Sequence, residues 1–109
     1  MKVVDQQPYA WFLLEDEGNL YLDAHCSHSF FDYSVLIAMN DSETEAFRRS
    51  GRAYIDKLAY NIHFSAPAVR GSKSPYKSRN LSIGGTPEED AAHSAIMAWR
   101  AANKTESKS

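Results

Sequence analysis

The sequence predicts an α+β domain in which a three-stranded antiparallel meander, with room for one or two further short strands, packs against two α-helices. Three observations carry this expectation. Residues 9–39 hold three segments in which apolar and polar side chains alternate with period two, as strands with one covered face do. Residues 42–62 keep an apolar arc at the helical period. Thr86-Pro87-Glu88-Glu89 opens a second helix, with Thr as N-cap, Pro at the first helical position and acids at the positive end of the dipole.

Residues 9–15 and 19–26 read as a hairpin, with Gly18 in the link Asp16-Glu17-Gly18 supplying the positive φ that reverses the chain. In its second strand Leu20, Leu22, Ala24 and Cys26 share one face, while Tyr21, Asp23 and His25 share the other, wetter one. Residues 33–39 make the third strand, with Tyr33, Val35, Ile37 and Met39 on one side. The connector 27–32 carries two aromatics, Phe30 and Phe31, where a polar turn is expected.

Ser42 and Glu45 have the spacing of a capping box, with Asn40 and Asp41 as neighbouring alternatives. Phe47, Tyr54, Ile55, Leu58 and Ile62 then fall in one arc of about 100°. The arc keeps its phase across Gly51, which favours one continuous, kinked helix over a break after Ser50. Residues 64–69 read as extended, 70–79 as an open loop and 80–83 as a short returning strand. The last helix extends to residue 102, with Ala91, Ala92, Ala95, Ile96, Ala98, Trp99 and Ala102 on its apolar stripe, and residues 103–109 form a polar tail.

The 109 residues, 43% of them apolar, suit one domain over residues 1–102 and exclude a disordered or collagen-like chain. The apolar run 10–14 is far short of the roughly 20 residues that span a bilayer, and no cationic segment precedes it as in a signal peptide. Cys26, the single cysteine, cannot close an internal disulfide. A cytoplasmic protein without a membrane partner is expected. The net charge of −2 conceals segregation. Residues 1–47 sum to −8, residues 48–79 to +7 and residues 80–109 to −1. Such halves either attract one another across the fold or present separate faces to partners.

Three groups of residues qualify as sites. Phe30, Phe31, Asp32 and Tyr33, with Tyr9 and Trp11 upstream, supply more aromatic surface than one sheet face needs, and aromatics anchor protein interfaces. Core packing accounts for part of this set, and the Phe30-Phe31 pair is its interfacial part. The loop containing Arg70, Lys73, Tyr76, Lys77 and Arg79 has four cations, no acid and interspersed serines, a composition that suits phosphate backbones, with Tyr76 placed to stack on a base. Its ordinary reading is a solvated loop balancing the acidic strands. Arg48, Arg49 and Arg52 could extend that basic surface, but Glu45 and Asp56 are spaced to neutralise them. His25, Cys26 and His28 offer ligand and nucleophile chemistry. On a strand, however, only Cys26 and His28 share a face, so Cys26 reads as a small buried hydrophobe.

No metal site and no cofactor are expected. The leading expectation is a small non-catalytic protein-binding module, of inhibitor, immunity or adaptor type, whose partner could carry a basic groove. Nucleic-acid binding through residues 70–79 is the alternative. Cys/His catalysis comes third. The oligomeric state stays open, a homodimer included.

Overall fold

In the computed structural model the described residues form four strands and then three helices: β1 (Lys2–Gln7), β2 (Trp11–Asp16), β3 (Asn19–His28), β4 (Phe31–Ala38), α1 (Asp41–Ser50), α2 (Arg52–Ser65) and α3 (Pro87–Ala102). The structure describes residues 1–28, 31–65, 71–83 and 85–103, without the side chains of His28 and Phe31. The strands pair antiparallel in the order β1-β2-β3-β4. The α+β class and the meander are therefore as expected, with a fourth strand, for which the sequence left room, and one helix more than it suggested.

The added strand is β1. Its sequence, Lys-Val-Val-Asp-Gln-Gln, lacks clean alternation because a bulge between Val3 and Asp5 shifts its register against β2. Val4 turns outward there and is exposed. The β2–β3 link is a two-residue turn, with Glu17 and Gly18 both at positive φ (51° and 83°), a conformation matched to the strand twist. β3 is the longest strand and runs past the start of β2, so its last residues pair with β4 alone.

The added helix comes from a break at Gly51, which corrects the expectation of a continuous element. Gly51 lies at φ 66°, ψ −148°, a backbone region that side-chain-bearing residues avoid. Its N–H caps α1 by donating to the Phe47 carbonyl at 2.7 Å, and its own carbonyl accepts from Tyr54. The apolar arc keeps its phase because both helices pack on the same sheet face. The N-cap is Asn40, one of the alternatives, in a reciprocal capping box with Glu43. Thr86 caps α3 and Pro87 follows it, as its sequence dictates.

Helices cover both faces of the sheet. Trp11, Leu13, Leu22, Ala24, Cys26, Val35 and Ile37 face Ile55, Leu58, Ala59 and Ile62 of α2. On the opposite face Leu14 and Leu36 meet Ala92 and Ile96 of α3, with Phe12, Tyr21 and Leu81 at the margin. Alternation along β3 divides the same way, Leu22, Ala24 and Cys26 against α2 and Tyr21 toward α3. Residues 80–82 are turns rather than a returning strand, yet they close the outer edge of β4. Leu81 N–H donates to the Leu36 carbonyl at 2.7 Å, while the Leu36 N–H reaches Asn80 Oδ1 and Ser82 Oγ. No helix among the described residues is long and apolar enough to cross a membrane.

Candidate functional site

The clearest surface for a partner lies on the outer side of α2. Tyr60 and Phe64, one helical turn apart, stack with ring centroids 5.9 Å apart and planes at 23°. They are 61% and 75% exposed, while the neighbouring Ala59 and Ile62 are buried against the sheet. Across a shallow groove of about 370 Å³ stands Tyr9, in the β1–β2 turn. Tyr9 is 95% exposed and holds a left-handed backbone (φ 64°), unusual for a bulky residue. Trp11 and Asp56 form the groove floor, joined by a 2.8 Å hydrogen bond from the indole N–H to Asp56 Oδ1. His63 Nε2 meets the Ser27 carbonyl at 2.9 Å, which ties the end of α2 to the end of β3.

This surface shares Tyr9 and Trp11 with the aromatics singled out in the sequence and adjoins the others. Ser27 pairs with Asp32, which is exposed. Tyr33 is half-buried and packs against the core beneath α2. Phe30 lies outside the described residues, and Phe31 contributes only its backbone, paired with His28 at the end of the hairpin. Tyr60 and Phe64 lie off the buried arc of Phe47, Tyr54, Ile55, Leu58 and Ile62, and Phe64 falls in the stretch 64–69 that the sequence reads as extended, whereas α2 runs on to Ser65. Two aromatics four residues apart, off that arc, were the available signal.

The basic loop is built into the fold. Arg79 forms a bidentate pair with Glu43, at 2.8 Å and 2.6 Å, and donates to the Ala38 carbonyl at 2.8 Å. Burial opposes the Glu43 charge, but the Arg79 hydrogen bonds, the Asn40 backbone N–H and the Arg79 charge outweigh it, so the carboxyl titrates below its usual range. Tyr76 packs on the core under the Arg79 guanidinium. Ser72 and Ser74 bond Ser65 and the loop backbone, leaving an anchored turn where an open loop was expected. Lys73 and Lys77 are exposed, and Arg70 lies outside the described residues. Arg52 also departs from expectation. It pairs with Asp5 at 2.9 Å, bonds Gln7 and lies over the Trp11 ring, while Asp56 serves Trp11.

Cys26 is fully buried, and desolvation pushes its thiol up to about 11, far from a thiolate nucleophile at neutral pH. His25 points to the opposite sheet face, so the two do not form a pair. Among the described residues no three His, Cys, Asp or Glu side chains are grouped to hold a metal ion.

On the α3 side of the sheet lies a larger cavity of about 890 Å³, floored by Phe12, Asp23, His25 and Ser34. Burial raises the Asp23 carboxyl to about 6, against the opposing effects of the Ser34 hydroxyl, Arg100 and His25.

The chain matches no family model, no curated protein and no solved structure. The site's own geometry therefore carries the functional reading.

Proposed function

We propose that the protein is a small non-catalytic binding module of the cytoplasm, an inhibitor, immunity-type or adaptor protein that engages another protein through the aromatic surface of Tyr9, Tyr60 and Phe64. The stacked, exposed Tyr60–Phe64 pair carries this reading. Large rings left in water on a helix whose other side is fully packed contribute nothing to the core, and they supply the desolvated anchors typical of interfaces. Asp56 lies in the groove floor and Asp32 is paired with Ser27 at its edge, so the partner best suited presents an apolar protrusion or groove edged with Lys or Arg. Phe30 and Phe31, which the chain joins to Asp32, are retained as anchors in this proposal.

The basic loop is the weaker candidate, because Arg79, Tyr76, Ser72 and Ser74 are already engaged within the fold. Affinity capture from the native cell lysate should separate the two readings, with bound protein and bound nucleic acid both identified. A protein retained by the wild type and by Lys73→Ser/Lys77→Ser, but lost from Tyr60→Ala/Phe64→Ala, is the expected result. Capture of nucleic acid that depends on the lysines and ignores the aromatics would overturn the proposal.

A further inference from the structure

We propose that the cavity between the sheet and α3 is a binding site for a small organic cation, an amine or amidine carried on an apolar framework. α3 covers only part of its sheet face. Leu14 and Leu36 meet Ala92 and Ile96, but towards the β1–β2 turn the helix leaves a space of about 890 Å³, a size that suits a small organic ligand. One wall is apolar: Phe12 and Trp99 meet edge to face at 5.4 Å and 77°. A side chamber of about 300 Å³ shares Asp23, Ser34 and His93 with the main cavity and adds Ser82 and Glu89.

Among the described residues lining the two spaces, the carboxyls of Asp23 and Glu89 stand against one fixed cation, Arg100. Asp23 sits in the middle of β3, opposite Leu36, where an apolar residue would pack without electrostatic cost. Among the described residues no Lys or Arg forms an ion pair with Asp23 or Glu89. Glu89 Oε2 is buried with no hydrogen-bond partner in the fold. Two carboxyl groups facing one chamber, one with an unused buried oxygen, call for N–H donors and positive charge. An anion is disfavoured by the same carboxyls, and Arg100 is already laid over the Phe12 ring at 5.5 Å. The ligand's apolar part would lie along Phe12 and Trp99, with its cation against Asp23 and Glu89.

Asp23 must be ionised to pair with a cation, so affinity should fall as the pH drops through the region of about 6 where it titrates. Tyr9 in the β1–β2 turn, His25 on β3, and Glu89, His93 and Arg100 on α3 are the other titratable or charged groups facing the cavity. Whatever pH dependence survives in Asp23→Asn belongs to them.

The test is an NMR titration of the full chain at about pH 7.5 with benzamidine, its neutral isostere benzamide and the anion benzoate. Benzamidine should saturate at or below ~1 mM, with benzamide and benzoate at least ~10-fold weaker, a modest affinity for a fragment of this size. Shifts should centre on Asp23, Ser34 and residues 89–100. Asp23→Asn should weaken benzamidine at least ~10-fold, and Glu89→Gln should weaken it also if the first variant fails to fold. Equal binding of the three probes, shifts centred elsewhere, no saturation, or indifference to both substitutions would each overturn the assignment.

Discussion

Asp23 shows how a single residue can be legible in a sequence without its significance being so. Alternation along β3 places it with Tyr21 and His25 on the wetter face, as the structure has it, but the depth of the cavity depends on α3, seventy residues away. A carboxyl raised from 3.8 to about 6 is held neutral more readily by the folded chain than by the unfolded one. Below the unfolded value both states are protonated and no cost arises. As the pH rises, the unfolded chain ionises first, so stability falls and reaches its full loss above the folded value. Asp23→Asn should therefore add on the order of 2 kcal/mol at neutral pH and almost nothing near pH 3, as measured by urea unfolding at both. Tyr9 stores strain of a different kind. With φ at 64° it occupies a glycine conformation while its ring stands in solvent. Tyr9→Gly should stabilise the fold by about 0.5–1 kcal/mol while weakening partner binding, a pairing expected where a residue is kept for recognition.

Among the elements, those with strong local signals were the ones the sequence revealed: the Glu17-Gly18 turn, the alternation of β3 and β4, and the Thr86-Pro87 start of α3. β1 was hidden because a bulged edge strand has no periodicity to detect. The break at Gly51 was hidden because an apolar arc reports which face is buried and not whether the backbone is continuous. No atom lies within 4 Å of where a Gly51 Cβ would sit, so Gly51→Ala tests the backbone alone. It should cost about 1–2 kcal/mol; a gain in stability would mean that α1 and α2 can merge. The Arg79–Glu43 clamp ties the loop 71–79 to the start of α1, with Glu43 nearly buried and Arg79 partly screened by solvent. Arg79→Ala should cost about 2 kcal/mol at neutral pH. Glu43 titrates below its usual range, so its contribution is present above the unfolded value and is lost as the pH falls through the lower folded one. The difference between variant and wild type should shrink accordingly in acid.

At the scale of the whole molecule, the segregated charge has a structural answer. Asp5 with Arg52 and Glu43 with Arg79 each join an acid of the strand-rich half to a cation of the following segment. Linear sequence could show the imbalance but not its partners, since both pairs span more than thirty residues. The sheet's two edges are handled differently: residues 80–82 cover β4, and β1 carries a bulge with Lys2 beside it, which opposes pairing with another chain. Among the described residues the exposed aromatic rings include Tyr9, Tyr60 and Phe64, and the central claim is that a protein partner occupies their surface. Calorimetric titration of the captured partner against wild type, Tyr60→Ala, Phe64→Ala and Lys73→Ser/Lys77→Ser tests this most directly. Each aromatic truncation should cost about 2 kcal/mol, a ~30-fold rise in Kd, while the lysine variant stays within about twofold. Unchanged affinity in both aromatic variants, or a nucleic-acid complex whose affinity falls steeply with salt and collapses on loss of the lysines, would contradict it.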